Sequence, residues 1–416
     1  MFGAEAVLVL IALLAWSVLM REPSLFLLVL ALLIAAAISR LWELACLTGV
    51  EYRRRFASLR VPFGDQIEME IEVVNRKLLP LSWLEIEDEI PRELQPARGS
   101  IRPSHKPGRA RLCSLLALRP YERIRRRYSI PCLARGEHLF GPVLLRSGDL
   151  FGFATREQLL ELEDVLIVYP RIVPLAELGL PARYPLGELR TQSWLFEDTS
   201  RVAGAREYRP DDSLRRVHWP ASARAQQLQS RVYDATTSHK LAIFLNVDTS
   251  ESPTWNHGYD PEVLELSITA AASIASWGIQ QGYQTGIYTN GMHLNSGTGD
   301  VIVEPGRSTD HLEKILLALG RLQPVAGQRF EELLARESPR LPFGSTLVVV
   351  TAALLPAIRG EIQAIRARGH AVSVILTGRA EASDRPEGIA VRRVGPPEAW
   401  RQMTVLTTAK DNGHAC

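Results

Sequence analysis

The stretch Leu241-Ala-Ile-Phe-Leu-Asn-Val247 runs directly into Asp248-Thr-Ser250-Glu-Ser252. The first part is a short, largely apolar run, which is typical of a strand buried in the middle of a sheet. The second part places a carboxylate and two hydroxyls on alternate residues of the loop that follows. Ligands of open α/β sheets bind at the carboxyl ends of the strands, so this loop is a candidate site.

Helix and strand signals alternate downstream of this strand. Asp260-Pro261-Glu262 predicts a helix start, because it combines a capping carboxylate, a proline in the first turn and an acid favoured by the helix dipole. That helix is expected to end near Gly282, and Ser345 to Thr351 is a second apolar run. We therefore predict a doubly wound α/β sheet over residues 239–403. Residues 404–416 form a polar tail that we expect to be frayed.

A dense run of charged, aromatic and small residues precedes the strand, within a linker segment at residues 171–238. It begins Gly204-Ala-Arg-Glu-Tyr-Arg-Pro210 and continues through two aspartates to Arg224. It is not a simple amphipathic helix, because Pro210 lacks an amide donor and no apolar stripe of 3.6-residue period runs through it. The candidate functional residues of this motif are Arg206, Tyr208, Asp212, Arg215, His218, Trp219, Ser222 and Arg224.

Two interpretations of the motif stay open. It forms a docking surface for an anionic group or an acidic partner, since arginine forks match carboxylate and phosphate. Alternatively its charged side chains pair with one another, while Tyr208 and Trp219 pack the β-rich module against the α/β domain. The sequence favours this second interpretation, because the acids that would pair the arginines lie in the same stretch.

The amino-terminal segment, residues 1–48, contains two apolar runs. Ala6–Met20 and Leu25–Ser39 carry no charge and are separated by Arg21-Glu22-Pro23-Ser24. Each run is shorter than the roughly 20 residues that cross a bilayer, but apolar residues extend both. A signal peptide is disfavoured, because no basic region precedes the first run and a second run follows at once. We predict a two-helix membrane hairpin; a buried soluble hairpin is the alternative.

Basic residues after the second run set the expected orientation. They are Arg40, Arg53, Arg54, Arg55 and Arg60, against one arginine beside a glutamate in the connector. The positive-inside rule then predicts a multi-pass protein of the inner membrane with its large C-terminal part in the cytoplasm. Four scattered cysteines with no C-x-x-C pair agree with a reducing compartment.

Residues 49–170 have the period of β-strands. Ile67, Met69, Ile71 and Val73 alternate with polar residues, and similar runs recur with turn signals between them, which predicts a β-sandwich-like module. The Arg-rich run Arg123–Tyr128 is interpreted as a solvated sheet face, because no aromatic platform for nucleic acid accompanies it. The whole chain has 48 basic and 46 acidic residues, so its net charge of +2 does not indicate a nucleic-acid partner.

The order Arg-x-Tyr, acidic turn, Arg, His-Trp, Ser-Ala-Arg and a strand ending in Asp resembles the bacterial family called "domain of unknown function 58". The resemblance implies a membrane hairpin, a β-rich middle and a von Willebrand factor A-like domain. It also implies a partnership with a MoxR-type AAA+ ATPase. The chain departs from the family at Pro210-Asp211-Asp212, where the family usually has Pro-Gly-Asp.

The same resemblance implies a metal site. In von Willebrand A domains the D-x-S-x-S pattern supplies oxygen ligands to Mg²⁺, and here it is Asp248, Ser250 and Ser252. Those domains add a threonine, for which Thr309 is a candidate, and a second aspartate, where this chain has Ala352. We therefore predict a degenerate site that binds Mg²⁺ weakly or not at all. In the alternative interpretation these residues only cap loops.

The favoured functional hypothesis is a non-enzymatic, membrane-anchored adaptor. It works with a MoxR-type AAA+ ATPase in assembly or maturation of other proteins, contacts the bilayer and other membrane proteins, and needs no cofactor. The chain contains no phosphate loop, dinucleotide fingerprint, zinc-protease motif or nucleophile elbow. Two alternatives remain: a divalent-metal-dependent enzyme using Asp248 and the motif arginines, and an envelope structural protein.

Overall fold

A computed structural model of the chain describes residues 4–149, 155–175, 202–208, 217–233, 240–249, 259–293, 300–342, 345–379, 389–406 and 408–410. The chain divides into two compact units. The first consists of Met1–Arg171 and Leu319–Arg321, and the second of Ile172–Ala318 and Leu322–Cys416. Each unit has sheets and a hydrophobic core of its own.

Two helices open the first unit. They are α1 (Ala4–Leu19) and α2 (Pro23–Cys46), joined by a short connector in which Arg21 has a φ of 55°. Pro23 suits the first turn of α2, where its missing amide would have no partner in any case. Within the described residues, α2 is long and apolar enough to cross a membrane, with a mean hydropathy of 2.4 in its best window. With 16 residues, α1 is shorter.

The rest of this unit is a β-rich module that is sandwich-like. One sheet has the order β1-β3-β7, a second has the order β10-β9-β4-β6-β5, and apolar residues from both enter one core. A third sheet has the order β2-β11-β8. The strands are β1 (Val50–Phe56), β2 (Arg60–Val61), β3 (Gln66–Asn75), β4 (Leu81–Pro91), β5 (Ser100–Pro103), β6 (Arg109–Leu118), β7 (Arg123–Pro131), β8 (Gly136–Phe140), β9 (Val143–Gly148), β10 (Thr155–Leu160) and β11 (Asp164–Val168).

Glutamates and arginines pair across the outer faces of both large sheets. Arg123 on β7 lies 3.1 Å from Glu72 on β3, and Arg127 lies 3.0 Å from Glu70. Cross-strand pairs of opposite charge stabilise a solvated sheet face. The Arg-rich strand is therefore a paired surface rather than an open cationic one. The five-stranded sheet repeats this arrangement around β4 with Arg102–Glu85, Arg111–Glu87 and Arg146–Glu87.

A buried ion pair lies in the interior of the module. Arg54 on β1 donates through Nη1 to Asp88 Oδ1 on β4 at 2.5 Å and through Nε to Asp164 Oδ2 on β11 at 2.8 Å. Its Nη2 donates to the carbonyl oxygen of Phe140 on β8 at 3.0 Å. Tyr52 donates its hydroxyl to Asp88 Oδ2 at 2.8 Å. One guanidinium thus ties together four strands from all three sheets of the module.

The second unit begins with a two-stranded ribbon that encloses a short helix. These elements are β12 (Val202–Glu207), α3 (Trp219–Ala225) and β13 (Gln229–Tyr233). The elements that follow are β14 (Lys240–Leu245), α4 (Pro261–Gln280), β15 (Gln284–Thr289), β16 (Gly291–His293), β17 (Val301–Gly306), α5 (Thr309–Gly320), β18 (Leu322–Ala326), α6 (Phe330–Glu337), β19 (Thr346–Thr351), α7 (Pro356–Ala367), β20 (Ala371–Leu376), β21 (Ala390–Val394) and β22 (Thr408–Lys410).

The large sheet of this unit has the order β17-β15-β14-β19-β20-β21-β22. The five strands β15, β14, β19, β20 and β21 are parallel. Counted along the chain, the first six strands lie in the order third, second, first, fourth, fifth, sixth, which is a doubly wound arrangement. The order reverses between β14 and β19, and such a switch point is where open α/β sheets bind ligands.

Helices cover both faces of this sheet. On one face, α6 and α7 share a core with Ala242 and Phe244 of β14. On the other face α4, capped by Asp260 as predicted, packs so closely that a Cβ on Gly278 would lie 2.6 Å from Cδ2 of Leu241. Since alternate residues of a strand point to opposite faces, a continuous apolar run was required of β14.

The tail was predicted to be frayed from residue 404, and this is wrong for Thr408–Lys410. These residues form β22, which pairs antiparallel with Arg392–Val394 of β21. The reason is that an edge strand leaves a row of backbone donors and acceptors open, and a short polar segment satisfies them without needing apolar side chains.

Removal of the buried guanidinium should strongly destabilise the folded chain. Arg54→Met leaves the Asp88 carboxylate buried without its charge partner, and we expect a loss of about 3–5 kcal/mol in the free energy of unfolding. The matched control is Arg53→Met on the same strand, which removes an exposed pair with Glu51 and should cost less than about 1 kcal/mol. Urea unfolding of the detergent-solubilised full chain measures both.

A second comparison separates the charge from the packing. Arg54→Met combined with Asp88→Leu removes both charges, so it should lose less stability than Arg54→Met alone. If Arg54→Met proves as mild as Arg53→Met, the buried pair does not organise the module.

Candidate functional site

The carboxyl edge of the large sheet is organised by Asn246, the residue that follows β14. Its backbone N–H donates to Val350 O on β19 at 2.9 Å, and its Nδ2 donates to Thr351 Oγ1 at 3.2 Å. Its Oδ1 accepts from Asn290 Nδ2 at 3.1 Å and from the backbone N–H of Asp248 at 3.0 Å. The side chain of Asn246 therefore joins the ends of three neighbouring strands at the switch point.

Asn290, which follows β15, completes this edge. Its Oδ1 accepts from the backbone N–H of Val247 at 3.0 Å, and its Nδ2 also donates to Gln328 O at 3.3 Å. Thr351 Oγ1 donates to Ala353 O at 2.9 Å. Asn246, Asn290 and Thr351 are all buried, so these hydrogen bonds replace water for groups that would otherwise be costly to bury. These three side chains are neutral, and their polar atoms are used within the protein.

The predicted metal residues fall at this edge only in part. Asp248 is exposed in the loop after β14, whereas Ser250 and Ser252 lie outside the described residues. Ala352 is buried after β19, where its carbonyl accepts from Gly378 N–H at 3.1 Å. Within the described part of the chain, no three His, Cys, Asp or Glu residues come together as a metal-binding group.

Thr309 was a candidate for the remaining hydroxyl ligand, and the topology contradicts it. β17 runs antiparallel to β15, so its last residue, Gly306, pairs with Thr285 at the start of β15. The helix α5 begins just beyond, and Nε2 of His311 lies 2.8 Å from Thr285 O. Thr309 is therefore at the amino edge of the sheet, about six residues or roughly 17–20 Å of strand away from the Asp248 loop.

Asp260 is a second carboxylate near this loop, and it has a structural role. Its backbone N–H donates to Thr249 Oγ1 at 3.0 Å, and its Oδ1 caps α4 by accepting from Glu262 N–H at 3.0 Å. Arg379 pairs with Asp260 and lies 2.6 Å from Glu398. Burial acts to raise the pKa of Asp260, but the hydrogen bonds from Arg379 and the amides of α4 outweigh it and hold that pKa below its usual value.

The family motif folds as the β12–α3–β13 unit. His218 is the N-cap of α3, with Nδ1 accepting from Ala221 N–H at 3.1 Å. Ser222 Oγ donates to His218 O at 3.1 Å and accepts from Gln229 N–H at 2.8 Å. Tyr208, half-buried, donates its backbone N–H to Leu228 O at 2.8 Å. His218 and Ser222 therefore fix the helix against β13.

Trp219 begins α3 and is 67% exposed. Arg224, in the last turn of the same helix, is also exposed. Asp212, Arg215 and the side chain of Arg206 lie outside the described part of the chain. The motif residues that are described thus divide into hydrogen-bonded positions that shape the helix and exposed positions that project from it.

Sequence reasoning missed the two asparagines at the sheet edge. A signal was present, because Asn246, Asn290 and Thr377 each directly follow a parallel strand of the large sheet. Thr377 repeats the pattern beside β20, where its backbone N–H donates to Thr351 O at 3.1 Å and its hydroxyl lies 2.6 Å from Ser267 Oγ. Polar residues at those positions converge on one edge of a parallel sheet.

Comparison with known proteins gives one family and distant relatives. Residues 204–409 match the family model "Protein of unknown function DUF58". The chain is 24% identical over 251 residues to "Uncharacterized protein YeaD" of Bacillus subtilis (strain 168), an alignment that covers 60% of this chain and 58% of YeaD. It therefore spans less than two thirds of that relative's length.

Two solved structures are weakly similar to parts of the chain. The CARDB domain of the PF1109 protein from Pyrococcus furiosus is 11% identical, with 29% of this chain and 91% of that domain covered and a TM-score of 0.19. The C-terminal domain of wzt is 10% identical, with 30% and 75% covered and a TM-score of 0.21. These scores carry no conclusion about function. The match over residues 204–409, which contain the motif and the doubly wound sheet, shows that this part of the chain belongs to the family Protein of unknown function DUF58.

Proposed function

We propose that this chain is a membrane-anchored, non-enzymatic interaction protein and that α3 of the family motif is its docking surface. The observation that carries the proposal is the exposure of Trp219 on a helix whose position is fixed by hydrogen bonds. Burying a large indole stabilises a complex, and tryptophan is enriched among the residues that dominate binding energy. In the free chain this side chain remains largely in water.

The geometry around Trp219 suits recognition. His218 caps the helix and Ser222 ties it to β13, so the surface is already ordered before a partner arrives and less entropy is lost on binding. Leu228, also exposed, lies in the turn between α3 and β13 and adds apolar area. Arg224 supplies a guanidinium on the same short helix, which suits an acidic partner.

The carboxyl edge of the sheet supports a binding function over a metal-dependent enzyme. A catalytic site of that kind needs several oxygen ligands that are free to take the ion. The side-chain oxygens of Asn246, Asn290 and Thr351 already accept or donate hydrogen bonds within the protein, so these three residues add no such ligand beside Asp248. We also assign the doubly wound unit to a von Willebrand A-like fold. Its strand order, with the antiparallel β17 at one side, supports that assignment.

The proposed partner is a MoxR-type AAA+ ATPase, acting with this chain in assembly or maturation of other proteins. The support is the family membership, through the partnership that the resemblance implies. In this proposal α1 and α2 form a membrane hairpin in the inner membrane. The arginines on β1, which follow α2 directly, favour a cytoplasmic location for everything after it.

The proposed topology is tested with reporters. Fusions after Arg60 and at the C-terminus should both report cytoplasm, because the arginine cluster follows α2. A periplasmic signal from either fusion contradicts this orientation, and release of the chain by a carbonate wash contradicts the hairpin.

The docking surface is tested by a tryptophan comparison. Trp219→Ala should change the free energy of unfolding by less than about 0.5 kcal/mol, because the side chain is exposed, yet it should abolish binding of the partner ATPase. The control is Trp400→Ala in the same unit, which removes a buried indole and should cost about 3–5 kcal/mol. Urea unfolding and pull-downs of the full chain measure the two effects. A loss for Trp219→Ala as large as that for Trp400→Ala shows instead that Trp219 is a buried clamp.

The metal alternative is tested by calorimetry on the full chain. Mg²⁺ should bind in the millimolar range or not at all, because it demands near-octahedral oxygen ligands and gives up water reluctantly. If the partner supplies a carboxylate to a Mg²⁺ ion bound at Asp248, the metal and the partner will bind with positive coupling. Micromolar Mg²⁺ binding by the chain alone, lost in Asp248→Ala, would falsify this view and favour the metal-dependent enzyme.

A further inference from the structure

The carboxyl-terminal part of α2 belongs to the β-rich module. Ser39 donates its hydroxyl to Asp149 Oδ2 at 2.6 Å, and both side chains are buried. Trp83 Nε1 donates to Asp149 O at 3.2 Å. A carboxylate is costly inside the hydrocarbon of a bilayer. If α2 crosses a membrane, the hydrocarbon therefore ends at about Ser39.

Two basic residues of the module hold the end of the same helix. Lys77 donates through Nζ to the carbonyls of Ala45 at 2.6 Å and Thr48 at 2.8 Å, and also to that of Cys46. Arg156 on β10 donates through Nη1 to Leu44 O at 2.6 Å. Cations suit the open carbonyls at a helix C-terminus. The helix is thus continuous and fixed to the module, with a length of about 36 Å for its 24 residues.

The opposite side of this segment is apolar and open. Leu41 is 68% exposed and Leu44 is 63% exposed, whereas Ser39 and Cys46 on the module side are buried. Ile38 begins the open row one turn earlier. This row continues the outer face of α2, where Leu27 and Ile34 are also exposed. The lipid-facing surface of the helix therefore does not stop where the module begins.

The positions of Leu41 and Leu44 along the helix axis can be compared with the layers of a bilayer. At 1.5 Å per residue they lie about 3 and 8 Å beyond Ser39 along the axis. The polar layer on each side of the hydrocarbon is roughly 5–8 Å thick, from the difference between the full bilayer and its core. Trp42 lies at the same depth but packs against the core of the module, so the exposed surface at this level is that of Leu41 and Leu44.

We propose that the last two turns of α2 lie in the lipid interface through Leu41 and Leu44, so that the β-rich module is held against the membrane surface. This inference rests on the proposed membrane anchoring. The segment of α2 left for the hydrocarbon is then Pro23–Ile38, about 16 residues or ~24 Å. That matches the 16 residues of α1. Both are shorter than a typical hydrocarbon core, which a bilayer accommodates by local thinning.

Spin labels on the full chain in phosphatidylcholine vesicles test the inference. Single cysteines replace Leu41 and Leu44, with Leu27→Cys as the reference for hydrocarbon and Leu115→Cys, on an exposed position of β6, as the reference for water. Cys416→Ser removes the C-terminal thiol, and the native cysteines Cys46, Cys113 and Cys132 are buried. All four labelled positions are exposed, so the substitutions leave the cores intact.

Collisions of each label with oxygen and with a water-soluble nickel chelate are measured. Labels at 41 and 44 should meet the nickel chelate several-fold less often than the label at 115, and more often than the label at 27. If the label at 27 is shielded from the nickel chelate while the labels at 41 and 44 collide with it as often as the label at 115, the interface contact is overturned and the membrane anchor stands. If the label at 27 also collides with the chelate as often as the label at 115, the proposed membrane anchor is wrong, and the inference is wrong with it.

Discussion

Asn246 imposes the main constraint on the α/β unit. At the switch point of a doubly wound sheet the chain must turn from strand to loop on several strands at once, and each turn leaves buried amides and carbonyls. An unsatisfied buried polar group costs about 1–3 kcal/mol. One carboxamide with Asn290 and Thr351 satisfies the ends of β14, β15 and β19 together. The same hydrogen bonds occupy the side-chain oxygens of Asn246, Asn290 and Thr351.

Because these three side chains are already hydrogen-bonded, the proposed recognition surface lies elsewhere in the unit. Asn246, Asn290 and Thr351 use their polar atoms for hydrogen bonds within the sheet. The exposed aromatic residue of the family motif, Trp219, lies on α3, outside the sheet. The β-rich module is similar in this respect. Arg54 on β1 binds groups on three other strands, and arginines on the outer sheet face pair with glutamates. In both units these charged and amide groups serve the structure, whereas Trp219 and Leu228 are exposed and available for contacts.

Local sequence signals predicted the parts of the fold that local physics decides. The strand at Leu241, the cap at Asp260 and the period-two strands depend on neighbours in the chain, and the structure has them. The prediction of Thr309 as a metal ligand was wrong because its position depends on the direction of β17, which no local pattern encodes. The exposure of Trp219 and the burial of Arg54 could not be predicted either, since both are set by residues far away in sequence.

The central claim is that the family motif meets a partner through Trp219. Its most direct test is a photo-crosslinking amino acid placed at position 219 in native membranes, with a second chain carrying it at Tyr259, an exposed position of the same unit. The account predicts an adduct with an AAA+ ATPase that forms at 219, depends on ATP and is absent at 259. No adduct at 219, or the same adducts at both positions, would contradict it.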